Sequence, residues 1–248
     1  VRTNSTVREL ARTADGWRLT VGPTIAPEYL TADAVVLALP ARPASRLIGQ
    51  LAGEIYAAGT AADLAAIEYA SMAIVTLAYP ADAFREPLTG SGYLVPAVDE
   101  RPVKAVTYST VKWPHLATRS AGRAGQAEPL HLARCSVGRI GDEAVLQRDD
   151  ADLVTLAAAD FAAATGVVGP PLDSRVTRWG GGLPQYTVGH LDRVRRIRSG
   201  VAALGGLAVC GAAYDGVGIP ACIASAQLAA DQITDFLTDH PAPAGEGA

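Results

Sequence analysis

The chain has 248 residues, 49% of them apolar and 19% charged, with a net charge of −4. Such a composition excludes a disordered chain and is long enough to bury a core, in one large domain or two smaller ones. A slightly acidic balance gives no footprint for nucleic acid, and no apolar run reaches the roughly 18 residues of a spanning helix, so no stable membrane insertion is expected.

The basic residues are nearly all arginine, with lysine only at 104 and 112. Cys135, Cys210 and Cys222 lie far apart in apolar settings. That spacing gives neither a disulfide framework nor a metal-ligand set, and suits free thiols in a reducing compartment. His115, His131, His190 and His240 are scattered, so no metal site is expected. No signal peptide is recognisable, and a cytoplasmic protein, soluble or weakly peripheral, is the expectation. The sequence opens at Val1, inside what reads as a strand and without Met, as a piece of a longer polypeptide would.

Residues 2–21 read as a hairpin turning at Asp15-Gly16, with Trp17 to Val21 alternating. Asp33 to Pro40 is continuously apolar, the pattern of a strand buried on both faces of a parallel sheet. Helices are expected from Pro43 to Leu51 and over 61–66. Ser71–Ala78, Gly92–Pro96, Lys104–Ser109 and Leu130–Val137 read as strands, and 118–129 as an exposed loop. Asp149–Ala164 has helical periodicity, with Leu153, Leu156, Ala157 and Phe161 on one side. Arg175–Trp179 is a strand and His190–Leu204 a helix with an arginine-rich outer face.

A last strand, Leu207–Cys210, breaks at Gly211 and crosses a loop with glycines at 216 and 218. A long small-residue helix follows, running to about Asp239. Pro220 fits its first turn, where a missing N–H costs nothing. The unpaired amides at such a helix start suit an anion or a polarised carbonyl. An ordinary strand–turn–helix connection would have the same spacing.

Strands and helices together predict an α/β (α+β) chain. The two buried strands, 34–39 and 207–210, lie at opposite ends and are expected to share one nucleotide-binding domain. Its parts are 1–42 and 200–240, with 43–199 inserted as a second, mixed-sheet domain and 241–248 as a flexible tail. No Gly-x-Gly-x-x-Gly follows a strand, since Gly180-Gly181-Gly182 leads into Leu183-Pro184. No Walker loop, zincin helix, nucleophile elbow or acid/base carboxylate pair is present, so catalytic residues stay unknown at this point.

Taken in order, several short motifs carry a resemblance. They are Tyr69-Ala-Ser-Met-Ala73, Gly90-Ser-Gly-Tyr-Leu-Val-Pro96, Ser109-Thr-Val-Lys-Trp-Pro-His115, Ser136-Val-Gly-Arg139, Arg178-Trp179, Leu183-Pro-Gln-Tyr-Thr-Val-Gly-His190 and Tyr214-Asp-Gly-Val-Gly-Ile-Pro220. From Val1 to about Asp239 the chain resembles the C-terminal portion of the bacterial porphyrinogen oxidases, the flavin enzymes also called protoporphyrinogen or coproporphyrinogen III oxidase. Their wider group is the flavin amine oxidase-like proteins, whose dinucleotide fingerprint lies upstream of anything in this sequence.

The resemblance implies a partial FAD-binding, Rossmann-like domain with an inserted substrate domain. It implies FAD-dependent oxidation of a porphyrinogen to a porphyrin in haem biosynthesis, with molecular oxygen as acceptor and hydrogen peroxide as product. Coproporphyrinogen III is favoured over protoporphyrinogen IX. By the same resemblance Val7 matches a position whose backbone meets the adenine of FAD, and Trp179 a position beside the flavin. Gly216, Val217, Gly218 and Ile219 match the loop under the isoalloxazine ring. The plain readings stay open: Val7 as a strand residue, Trp179 as core, Tyr69, Tyr93 and Tyr186 as packing, and Lys112, Trp113 and the 193–198 arginines as structural. So do three other functions: a non-catalytic porphyrin-binding fragment, a protoporphyrinogen IX oxidase, and another amine oxidase-like flavoprotein. The missing fingerprint-bearing portion would be the partner of this chain in the FAD site.

Overall fold

A computed structural model describes residues 1–51, 53–120 and 130–241. In chain order its first elements are β1 (Val7–Thr13), β2 (Gly16–Val21), β3 (Glu28–Ala32), β4 (Val35–Leu37), α1 (Ala41–Ile48) and α2 (Ala57–Ala65). Next come β5 (Tyr69–Pro80), β6 (Gly92–Leu94), β7 (Val103–Tyr108), α3 (Ser109–Lys112), α4 (Pro114–Ser120), β8 (Leu130–Val137), α5 (Asp150–Thr165) and β9 (Asp173–Pro184). The last are α6 (His190–Ala203), β10 (Leu207–Val209) and α7 (Ile219–Asp239).

The chain divides into two compact units, one of Val1–Glu68 with the residues from Pro184 on, the other of Tyr69–Leu183. These boundaries differ from the sequence reading at 43 and 199 by three helices. α1 packs on α2 and α2 on α6, which keeps all three with the first unit. The α2–α6 approach is close: a Cβ at Gly200 would lie 2.0 Å from Thr60 Oγ1. The expected helix 61–66 starts earlier, at Ala57, because an Ala-rich turn without a capping side chain leaves no sequence mark.

In the first unit, β1, β2 and β3 form an antiparallel meander. The expected hairpin gains β3, paired with β2 from Trp17↔Ala32 to Val21↔Glu28. Leu10, Trp17 and Val21 bury its inner face. β4 and β10, from opposite ends of the sequence, pair in parallel through Leu207↔Val35 and Val209↔Leu37. β10 is fully buried against α6 and α7. The expectation that β4 is buried on both faces is corrected, because Val36 is 42% exposed. A two-stranded sheet leaves one side of β4 uncovered. Arg12 reaches from β1 to the end of α6, donating to the carbonyls of Leu204 (2.9 Å) and Gly205 (2.7 Å). A cation there complements the negative helix end.

The second unit is a five-stranded sheet in the order β6-β7-β8-β5-β9, with β6–β7, β7–β8 and β5–β8 antiparallel. α5 covers it with Leu153, Ala157 and Phe161, all fully buried among Val75, Leu77, Val103, Cys135 and Val137. The Asp149 carboxylate accepts from the Asp152 amide at 2.8 Å to open this helix, and Gly166 closes it at φ 69°. β9 extends beyond the expected 175–179 and contains the three glycines 180–182, which carry no strand propensity of their own. Residues 118–120, expected in a loop, end α4. The rest of that loop, 121–129, and the tail from 242 lie outside the described residues.

Candidate functional site

Five of the six residues singled out in the sequence belong to the first unit, four of them in one loop and Val7 on β1. Gly216, Val217, Gly218 and Ile219 follow β10 at the C-terminal edge of the parallel pair, where open α/β sheets place their ligands. α7 begins with Gly218 as N-cap, no capping side chain and proline in its first turn. Of the first-turn positions Pro220 has no N–H, so the Ile219 and Ala221 amides point out of the helix without an intrahelical acceptor. Val217 and Ile219 are exposed beside them, at 48% and 78%. An apolar surface next to outward amides fits one edge of a flat heterocycle that carries polarised carbonyls. A Cβ on Gly216 would lie 2.9 Å from the Ala221 Cβ, so glycine is required there by the packing of α7 itself.

The preceding loop is tied residue by residue. Ser225 Oγ accepts from the Gly211 amide at 3.2 Å. The Tyr186 hydroxyl donates to the Ala212 carbonyl. His190 Nε2 lies 3.0 Å from the Tyr214 carbonyl. Arg198 forks onto the Asp215 carboxylate at 3.0 and 2.5 Å. The Cys222 thiol donates to the Gly216 carbonyl at 3.6 Å. The ion pair offsets the one negative charge in the loop. Burial, with Cys222 nearby, pushes the Cys210 thiol up and keeps it protonated.

Val7 sits on the outer edge of the meander. A bulge between Val7 and Glu9 shifts the β1–β2 register at this residue. Beside it opens a cavity of about 840 Å³, lined by Val7 and Arg8 on one side and by Val35, Leu37 and Arg46 on the other. Gln50 accepts from the Leu10 amide at 3.4 Å and donates to the Arg8 carbonyl at 3.1 Å, so it closes part of this strand edge. The cavity therefore joins the edge of β1 to the outer side of β4. Its apolar walls fit a planar heterocycle.

Trp179 belongs to the second unit, on β9. It is 53% exposed, which rules out the core reading. It lines a cavity of about 200 Å³ with Ser71, Met72 and Glu143. Its neighbour Arg178 is engaged by the Leu146 and Arg148 carbonyls and by Asp150. Tyr93 packs against Tyr108 with ring centroids 6.1 Å apart, and Lys112 lies over the Trp113 ring at 4.9 Å. Three of the α6 arginines are paired with carboxylates: Arg195 with Asp192, Arg196 with Asp63, and Arg198 with Asp215. Among the described residues no group of His, Cys, Asp and Glu could hold a metal ion, and no helix is long and apolar enough to cross a membrane.

The family model described as flavin containing amine oxidoreductase matches residues 1–234. The chain belongs to this family. The cofactor of these flavin amine oxidoreductases is FAD, and the exposed loop, the outward amides and the cavity beside Val7 all fit one. The chain is 40% identical over 208 residues to a coproporphyrinogen III oxidase of Mycobacterium tuberculosis, covering 83% of this chain and 41% of that protein. It is 30% identical over 210 residues to a coproporphyrinogen III oxidase of Bacillus subtilis, covering 84% of this chain and 41% of that protein. A solved structure described as a candidate protoporphyrinogen oxidase from Exiguobacterium sp. 255-15 superposes with a TM-score of 0.70 at 26% identity, over 95% of this chain and 46% of that one. Cyclohexylamine oxidase from Brevibacterium oxydans shares the fold, with a TM-score of 0.66 at 15% identity, over 94% of this chain and 48% of its own. The chain thus spans less than half the length of these relatives.

Proposed function

We propose that this chain supplies the flavin-ring side of the FAD site in a porphyrinogen oxidase of haem biosynthesis, with coproporphyrinogen III as the preferred substrate. The reading rests above all on the 40% identity to a coproporphyrinogen III oxidase across 83% of the chain. The geometry of the 211–219 loop supports it. In the proposed reaction the reduced macrocycle loses six hydrogens in three two-electron steps, three molecules of oxygen take them up, and three of hydrogen peroxide form. FAD, when bound, supplies the two-electron acceptance.

The chain's own residues bind and orient. Val217, Gly218 and Ile219 lie against the ring. The Ile219 and Ala221 amides, at the positive end of α7, hold the negative charge that accumulates on the acceptor. Val7 bonds the adenine through its backbone at the bulge.

Two measurements test this. The 248-residue chain alone should purify nearly colourless, because a loop to cradle the pyrophosphate is not in its sequence. Joined to a fingerprint-bearing segment like that of its relatives, it should purify yellow. That holoprotein should then oxidise coproporphyrinogen III faster than protoporphyrinogen IX, followed by porphyrin fluorescence. Equal or inverted rates would remove the substrate preference. A yellow protein without turnover of either would point to another amine oxidase-like flavoprotein, and a colourless one that binds porphyrin to the non-catalytic reading.

A further inference from the structure

We infer that Tyr186, His190 and Arg198 are positioning residues for the flavin loop, clamping 211–216 so that 217–219 are presented in one conformation. The inference rests on the FAD reading above. All three belong to one arm of the first unit: Tyr186 just precedes α6, His190 is its first residue and Arg198 lies two turns on. Past Val209 the backbone leaves the sheet, so its polar groups need partners from side chains. The arm bonds the Ala212 and Tyr214 carbonyls, and pairs with the Asp215 carboxylate beside them. The Tyr186 ring stacks on the His190 imidazole, with centroids 4.3 Å apart and planes 25° apart, so the first two donors are held as one unit.

The tautomer follows from the bond. A carbonyl can only accept, so Nε2 of His190 carries the hydrogen. His190 is 5% exposed, and among the described residues its Nδ1 has no partner. Leaving that buried nitrogen unsatisfied has a desolvation cost, which the Nε2 bond and the ring stacking must offset. α7 holds the same loop from its other flank through Ser225 and Cys222. Among the described residues Val217 and Ile219 carry no such side-chain bond, so the anchoring stops where the proposed ligand contact begins.

A clamp of this kind raises affinity by raising the fraction of molecules whose loop is competent to bind. The test has one arm without cofactor and one with it. In the 248-residue chain, Tyr186→Phe and His190→Leu should speed amide exchange across 211–218 while the amides of Val194, Ile197 and Val201 in α6 keep their protection. His190→Gln, whose amide N–H reaches the same carbonyl, should restore slow exchange. In the holoprotein carrying the fingerprint segment, the first two variants should bind FAD about tenfold more weakly, and His190→Gln within about twofold of the parent.

Unchanged loop exchange in both variants would overturn the clamp. Faster exchange with unchanged FAD affinity, in a parent that is yellow, would overturn its role toward the cofactor while leaving the FAD reading intact. A parent that binds no FAD overturns the FAD reading itself, and the positioning role with it. A general loss of protection in α6 would make these residues ordinary packing and sink the inference.

Discussion

Cys135 is the most perturbed thiol among the described residues. It lies at full burial in the sheet of the second unit, on β8 between Val75 and Val106. Burial, with Asp160 nearby, pushes its thiol up to about 12 from 9.0. Tyr79, also buried, is pushed up to about 12 from 10.0 for the same reason. Both groups hold their proton longer in the folded unit than in the unfolded chain. Their contribution is intact below about pH 9 and is lost as pH rises from there to about 12, with a slope near 1.4 kcal/mol per pH unit for each group titrating. Urea midpoints of the chain should therefore fall steeply above pH 9. Cys135→Ala costs some packing at every pH but should flatten the alkaline limb by about one proton's slope. Parallel limbs for parent and variant would show that this thiol does not carry the effect.

Among elements, the α2–α6 contact leaves no room for a side chain at its crossing. A methyl at residue 200 would lie 2.0 Å from Thr60 Oγ1, and that hydroxyl is already committed to the Tyr56 carbonyl at 2.7 Å. Gly200→Ala gains helix propensity of about 1 kcal/mol, but the overlap should outweigh it and leave a net loss of about 1–3 kcal/mol. Placed on Thr60→Ala, the same change should cost little or become favourable, a coupling that a double-mutant cycle in urea reads directly. Additive losses would mean that the helices simply move apart. The contact also shows where sequence reading stopped. Strand β8 and helix α5 were legible because Leu130–Val137 alternates and Asp149–Thr165 has both caps written in it. The motif that fixes 216–219 was legible as a resemblance and as a strand–loop–helix. β3 was not, because Glu28–Ala32 runs into the next apolar stretch without a turn signal. Nor were the loop anchors: Tyr186 and Ala212 are 26 residues apart, Arg198 and Asp215 are 17 apart, and no periodicity links such pairs. That β4 and β10 share one unit followed from apolar runs at both ends, whereas their direct pairing and the exposure of Val36 depend on how many strands flank β4, which one chain's pattern does not encode.

For the molecule as a whole, α7 raises the question of solubility. Its buried face is narrow, carried by Ser225 and Ala229 against β10 and Cys210. On another face Ile219, Ile223, Ala230 and Leu237 recur at helical spacing, and all are exposed, Ile219 at 78% and Ile223 at 64%. Beside this helix the β4–β10 pair also leaves Val36 uncovered. A continuous apolar stripe along a 21-residue helix exceeds the scattered apolar residues that a soluble surface tolerates. The 248-residue chain on its own should therefore associate as its concentration rises, seen as a growing weight-average mass in sedimentation. Ile223→Glu together with Leu237→Lys should suppress that growth. Because both side chains are exposed, the change should leave the unfolding free energy read from urea curves within about 0.5 kcal/mol of the parent. The net charge of −4 stays the same, since one acid and one base are added, so the comparison isolates the stripe from overall repulsion. If the doubly substituted chain associates as strongly as the parent, another surface is responsible, and the strand edges of β4 and β10 become the place to look.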